Sequence, residues 1–252
     1  IFNFAQGEFV LLGAYVTYLV YSAGLPVWLG MLAAPFFVGA LGFVLERTIV
    51  RRFYAAPIVA MLGTYALGLI IREIVRGLIG GLYLSVPEPL GGSVNIGAMH
   101  FSTWRLVIIL ITALVMVGSY LLLSRTAFGL RIRASLENPA LARASGISTN
   151  AIYGATFAFG AALAGLAGAL IVPVFSLFAD LGLRFLIQGF VAVMVGGVGS
   201  FAGPVAGAGV IGTLAAALPW VIQPVIADVM VFVLAIIFIK FRPQGLISAK
   251  GV

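Results

Sequence analysis

Three short stretches of this 252-residue chain carry side chains whose types and spacing could do chemistry. In the first, Asn3, Gln6, Gly7 and Glu8 stand directly in front of an apolar run. Two amides and a carboxylate can bind polar groups or satisfy a helix start, and they contain no nucleophile paired with a base. Glu8 follows Gly7 in what reads as the first turn of a helix, where a carboxylate meets the positive dipole end and free N–H groups. Two readings stand together here: a polar lining or hinge, and helix capping with interhelical hydrogen bonding. The second stretch is Gly196, Gly197, Gly199 and Ser200, followed by Gly203-Pro204. Glycines expose backbone groups and let helices approach closely, so these positions serve as a lining, a hinge or a packing surface. In the third, Asn138-Pro139 fits an N-cap with proline at the first helical position. Pro139–Ala144 then reads as a short helix stopped by Gly146, with Ser148 or Thr149 capping the next element. Ala140, Leu141 and Ala144 offer an apolar patch and Arg143 a charge.

Bond-making chemistry finds no support. Cysteine is absent and His100 is the single histidine, which excludes disulfides, thiol catalysis and a histidine metal cluster, so no metal site is expected. No Ser/His, paired-Asp or HExxH arrangement occurs, and the phosphate-binding pattern GxxxxGK[ST] is missing throughout. The chain is therefore expected to be no enzyme and to bind no cofactor of its own.

The elements that position these stretches are set by composition. Hydrophobic residues make up 63% of the chain and charged residues 8%, against about 25% charged in a soluble domain. With a mean hydropathy of +1.22, this is an all-α integral membrane protein, a polytopic helical bundle. The 32 glycines suit transmembrane helices packed through small residues. The formal charge of +7 would suggest nucleic acid in a soluble protein. Here it belongs to loop arginines, and no nucleic acid partner is expected.

Eight spans are expected: Gly7–Ser22, Val27–Leu45, Pro57–Ile79, Arg105–Leu123, Ala151–Phe175, Phe185–Val198, Pro204–Leu218 and Val225–Phe241. Three are short of the roughly 20 residues a bilayer needs. The clusters Arg47/Arg51/Arg52, Arg125/Arg131/Arg133/Arg143 and Lys240/Arg242/Lys250 hold ten of the 14 basic residues. Alternation of spans puts all three on one side, which the positive-inside rule makes cytoplasmic. Residues 80–103 then lie opposite, as a small hairpin or loop cap, and Arg72, Glu73 and Arg76 sit near the outer end of the third span. Glu73 and Arg76 have helical i, i+3 spacing and can pair, although interfacial snorkelling also accounts for them. Glu8 and Asp228 are the acids expected inside or near spans. The stretches 3–15 and 196–210 resemble each other faintly, each a polar, glycine-bearing break before an apolar run, which suggests an internal repeat with broken helices. Arg125–Asn150 is the one long polar break, patterned for a partner on the cytoplasmic side.

At these motifs the sequence resembles a known family. NFAQGEF followed by LGAY, the FGLRIRASLENPALARASGIST loop, the TFAFGAALAGLAGAL span, VGGVGSFAGPVAGAGVIG and the closing RPQGL are similar to the permease subunits of branched-chain amino acid ABC importers. The likeness covers nearly the whole chain, and NFA(H/Q)GE points to the shorter, LivH-like permease of the pair. The usual motif carries His where this chain has Gln6. The family's first hydrophobic span is absent ahead of the motif, so the natural protein is expected to extend upstream of a single transmembrane permease domain, 1–252.

The resemblance implies a mechanism. Two homologous permeases, expected as a heterodimer, form the pathway in a bacterial or archaeal cytoplasmic (inner) membrane. Two separate ATPase subunits bind ATP and Mg on the cytoplasmic side, and an extracytoplasmic substrate-binding protein delivers the solute. The family's coupling helix falls on Glu137–Gly146 within the loop 125–150, with Glu137, Asn138, Pro139, Ala142, Arg143 and Gly146 implied at the ATPase contact. Asn3, Gln6, Gly7, Glu8, Gly196, Gly197, Gly199 and Ser200 become the candidate pathway. Members import branched-chain and other amino acids, urea or short amides, and related permeases import nucleosides. The competing classes are a passive channel and a secondary carrier; the carrier would need a mid-span carboxylate pair.

Overall fold

The apolar runs fold as helices because a helix satisfies every backbone N–H and C=O within its own segment, which hydrocarbon demands. The computed structural model describes residues 3–54, 56–96 and 99–247. In chain order its elements are α1 (Gln6–Ser22), α2 (Val27–Thr48), a 3-10 turn (Val50–Phe53), α3 (Pro57–Ile79), β1 (Ser93–Ile96), β2 (Met99–Ser102), α4 (Thr103–Arg125), α5 (Ala127–Glu137), α6 (Pro139–Ala144), α7 (Thr149–Ile171), α8 (Leu181–Gly196), α9 (Ala202–Ala217), a second 3-10 turn (Leu218–Trp220) and α10 (Pro224–Phe241). Among the described residues six segments are long and apolar enough to cross a membrane: α2, α3, α4, α7, Ala202–Trp220 and α10. This is a polytopic helical membrane protein.

Of the eight expected spans, two fall short. At 1.5 Å per residue, α1 with 17 residues and α8 with 16 extend only about 25 Å, less than the roughly 30 Å hydrocarbon core. The fifth span ends at Ile171 instead of running to Phe175, because Pro173 disfavours helix at Val172 and cannot continue it. The sixth begins earlier than expected, at Leu181. Of the third basic cluster, Lys250 lies outside the described residues.

The chain forms two compact units, Ile1–Leu183 and Arg184–Val252, divided inside α8. In the first unit α1, α2 and α7 pack as a triad through small residues. A Cβ on Gly13 would collide with the Gly165 carbonyl, and one on Gly168 with that of Val10, so α1 and α7 touch backbone to backbone. Gly30 meets the Thr17 backbone in the same way, at 2.8 Å from a notional Cβ. Phe9 packs edge-on against Phe157, with ring centres 5.8 Å apart, in a core with Ala5, Val38, Leu67 and Ile71. By contrast α4 buries only Trp104 and Ser119, and the Trp104 indole N–H donates to the Leu170 carbonyl at 3.2 Å.

Residues 80–103 contain the expected hairpin, with Ser93 opposite Ser102, Val94 opposite Phe101 and Asn95 opposite His100. The long polar break holds two helices where one is expected. Besides α6 there is α5, whose first turn is capped by the Thr126 hydroxyl accepting from Gly129 N at 3.5 Å. Gly129 lies against the Leu123 carbonyl, where a Cβ would collide, and Arg133 donates to that same carbonyl at 2.6 Å. The α4–α5 elbow is thus pinned by three local contacts. In the second unit α8, α9 and α10 share a core of Ala192, Val195, Ile211, Val231 and Ala235.

Candidate functional site

The segment from Asn3 to Glu8 is held at mid-helix depth by two neighbours. Phe4 N donates to the Thr64 hydroxyl of α3 at 3.1 Å. The Gln6 amide donates to the Gly160 carbonyl, near the middle of α7, at 2.8 Å. Asn3 turns the entry, its Oδ1 accepting from Ala5 N at 3.0 Å and its Nδ2 donating to Gln6 Oε1 at 3.4 Å. The Gly7 carbonyl abuts Gly182 in the first turn of α8, where no Cβ would fit.

Glu8 does more than meet the dipole of α1. Its Oε1 accepts from both Nε, at 3.0 Å, and Nη2 of Arg72, sixteen residues into α3. The carboxylate is 1% exposed and the Arg72 side chain 10%. A buried charge pair at membrane depth is expensive to assemble, and here it continues outward as a ladder. Asp180 stands 3.9 Å from Arg72 Nε and 2.8 Å from Arg76 Nη2, and Arg76 bonds Glu73 at 2.8 Å. The i, i+3 pair is present, while Arg72 turns inward where the sequence places it at the interface. The second oxygen of Glu8, Oε2, is buried with no hydrogen-bond partner among the described residues.

On the other side of the same segment a cavity of about 510 Å³ opens. Its polar floor is Asn3, Gln6, Thr64, Thr156 and the backbone of Gly160; its walls are Val50, Ile132, Leu136, Ile152 and Phe157, with Tyr54 and Tyr153. Among the described residues no Asp, Glu, Lys or Arg lines it. The walls come from the arginine-bearing end of the unit: the α2–α3 connection, α5 and the start of α7. Tyr54 and Tyr153 meet edge-on at 5.7 Å, and the Tyr153 hydroxyl donates to the Ser135 carbonyl of α5 at 3.0 Å. Burial, then the Glu46 carboxylate, pushes the Tyr54 phenol above its ordinary value. Beside it Glu46, fully buried at the end of α2, accepts from Arg51 at 3.1 Å, and Arg51 also donates to the Asn150 carbonyl at 3.2 Å. Glu46, Glu73 and Glu137 thus join Glu8 and Asp228 among the acids of the helices.

The short helix α6 has the expected bounds, Pro139–Ala144. Asn138 Oδ1 accepts from Leu141 N at 3.0 Å, and Gly146 ends the turn at φ +81°, a conformation glycine adopts without strain. Glu137, Asn138, Pro139, Arg143 and Gly146 are exposed, as is Leu141. Ala142 is buried, on the inner side of α6.

In the second unit the 196–200 glycines pack against the chain's own tail. Leu246 N donates to the Val195 carbonyl at 2.8 Å and Ile247 N to that of Gly196 at 3.0 Å. Gly197 (φ +101°) and Gly245 (φ +79°) cross so closely that a Cβ on Gly245 would strike the Gly197 backbone. Gly196 faces the Gly203 carbonyl, Gly199 turns at φ +109°, and Ser200 Oγ accepts from Gly203 N at 3.0 Å. The GGVGS and RPQGL motifs therefore account for each other.

Sequence reasoning names Arg72 but not its pairing with Glu8, and it misses Thr64, Thr156, Asp180, Glu46 and Gly160. An arginine inside an apolar run is the signal that draws notice to Arg72; the missed residues carry no local signal. Among the described residues no group of three or more His, Cys, Asp or Glu could hold a metal.

A family model described as branched-chain amino acid transport system, permease component, matches residues 1–239. The chain is 25% identical to the high-affinity branched-chain amino acid transport system permease protein LivH of Salmonella typhimurium, over 99% of this chain and 86% of that one. It is 27% identical to the corresponding permease protein BraD of Pseudomonas aeruginosa, over 99% and 87%. A probable branched-chain amino acid transport permease protein LivH of Methanocaldococcus jannaschii is 28% identical over 83% of this chain and 69% of that one. No solved structure matches.

Proposed function

This chain belongs to the family of permease components of branched-chain amino acid transport systems, and from that premise we propose that it is one membrane subunit of an ATP-driven importer of branched-chain amino acids. The family match over residues 1–239 carries the reading. The six membrane-length helices support a multi-pass subunit; the inner, cytoplasmic membrane, a second homologous permease and a delivering binding protein complete it. ATP and Mg bind partner ATPases. In this reading the basic side is cytoplasmic, α6 is the helix those ATPases push, and Asn3, Gln6, Gly7, Glu8 and the 196–200 turn belong to the pathway's framework.

The arrangement of the first unit suits such coupling. Only Asn138 separates α6 from α5, and α5 supplies Ile132 and Leu136 to the cavity wall. A push on α6 is delivered through α5, whose link to α7 runs through Tyr153 and Ser135. The exposed Pro139, Leu141 and Arg143 form the outward contact, while buried Ala142 seats the helix.

The test is reconstitution of the whole importer in proteoliposomes with its ATPases and binding protein, reading leucine uptake and ATP turnover together. Ala142→Pro removes the bond from Ala142 N to the Asn138 carbonyl, 3.0 Å in the native helix, at a cost of about 3 kcal/mol. Uptake per ATP hydrolysed should fall sharply in this variant. Uptake at the wild-type ratio would refute the role of α6.

A further inference from the structure

Three glycines of α7 differ in what a side chain would meet. At Gly165 and Gly168 a Cβ would run into α2 or the α1 backbone, so helix packing explains them. At Gly160 the nearest atom that a Cβ would meet among the described residues is the Gln6 amide nitrogen, 3.8 Å away, ordinary contact distance. A mid-helix glycine costs roughly 0.5–1 kcal/mol relative to alanine, and at Gly160 no packing contact offsets that cost. What the missing side chain leaves open is the floor of the 510 Å³ cavity.

The floor has unused hydrogen-bonding capacity of two kinds. Each primary amide carries two N–H donors. Gln6 uses one on the Gly160 carbonyl, and Asn3 one on Gln6, so each keeps a second that has no partner among the described residues. Thr156 donates its hydroxyl proton to the Ile152 carbonyl at 2.7 Å and keeps oxygen lone pairs that can only accept. Amide donors suit a carboxylate, and a hydroxyl acceptor suits an ammonium. The walls above are aliphatic and aromatic. With no ionised group among the described residues that line the cavity, a net charge would enter without compensation, which is costly in a low-dielectric site.

We infer that this cavity binds one neutral aliphatic amino acid on the cytoplasmic half of the pathway, with Asn3, Gln6 and Thr156 holding its zwitterionic head and Gly160, on the same floor, setting how deep that head sits and so how long a side chain fits between the walls above. The inference rests on the importer reading and adds to it a selection step inside the permease. The volume lies within the 300–1,000 Å³ usual for small-ligand sites.

The experiment uses the complete importer in proteoliposomes, with Gly160→Ala, Gly160→Val and Thr156→Val, and compares uptake of L-leucine, L-valine and L-alanine. Each value is taken relative to wild type, so the binding protein's own preference cancels, and subunit stoichiometry after purification checks assembly. Gly160→Val should lower leucine kcat/KM about tenfold or more, the range one misplaced methylene commands, and alanine by about twofold at most. Gly160→Ala should lie between wild type and Gly160→Val, and Thr156→Val should weaken all three solutes alike. Equal losses for leucine and alanine in both Gly160 variants, or no loss in either, would overturn the cavity assignment alone. A wild-type complex that takes up no aliphatic amino acid would overturn the importer reading itself, and with it the ligand class named here.

Discussion

Removing Arg72 puts the most strain on the framework described above. In Arg72→Leu the Glu8 carboxylate stays 1% exposed or thereabouts and loses both donors to Oε1, while Oε2 has none among the described residues to begin with. Truncating one partner of a buried pair costs about 3–5 kcal/mol, mostly as uncompensated burial of the survivor. At roughly 2–4 °C per kcal/mol for a chain of this size, the melting temperature should fall by about 6–20 °C. The assay is intrinsic-fluorescence melting of the purified importer in detergent at one fixed protein concentration. Replacing both groups, Glu8→Leu with Arg72→Leu, should recover most of the loss, because apolar substitutes for a buried pair are often neutral or better. Asp180→Asn should shift melting by no more than about 1 kcal/mol equivalent, since Asp180 is 52% exposed and screened by solvent. A single variant within about 1 kcal/mol of wild type, or a double variant no more stable than Arg72→Leu, would refute the pair as a buried, mutually compensating one.

Two further outcomes follow from local geometry. Gly197→Ala forces a side chain onto φ +101° and to within 2.7 Å of the Gln244 carbonyl, so melting should drop by the equivalent of about 1–2 kcal/mol or more; Gly209→Ala, with nothing within 4 Å, is the control and should be neutral or slightly stabilising. Asn138→Ala removes the acceptor for Leu141 N, worth about 1 kcal/mol, and should lower uptake per ATP hydrolysed less than Ala142→Pro does; a loss as large as the proline's would mean that Asn138 does more than cap.

What the sequence makes legible is what neighbours along the chain decide. The bounds of α6 follow from Asn138, Pro139 and Gly146 because cap, first-turn proline and left-handed stop act within one turn of the helix. Apolar runs locate the helices, and proline explains the early stop at Ile171. The helix α5 escapes notice because Arg131, Arg133 and Glu137 make its stretch read as polar; Ile132 and Leu136, at i, i+4, are its apolar face. Arg72 is separated from Glu8 by 64 residues. Spacing along α3 joins it to Glu73 and Arg76 instead, and only the packing of α1 on α3 turns it inward. Gly160, Gly165 and Gly168 look alike in one alanine-rich helix. Their different roles depend on what stands opposite, which is a property of the fold.

The ion pair also bears on why the polar segment carries charge at all. Gln6 and Glu8 are two residues apart, about 200° around a helix at 100° per residue, so they face nearly opposite directions. Gln6 looks into the cavity and Glu8 into α3. Fixing Glu8 to Arg72 therefore fixes the rotation of the first turn of α1, and with it the direction in which the Gln6 amide points. An apolar contact in the same place would stabilise the turn without specifying its rotation, because hydrophobic burial is non-directional. Glu8 and Arg72 are on this argument positioning residues, and their effects on stability and on transport should come apart. The double leucine variant regains its melting temperature but keeps a raised KM for leucine. Recovery of both together would leave the pair a purely structural one.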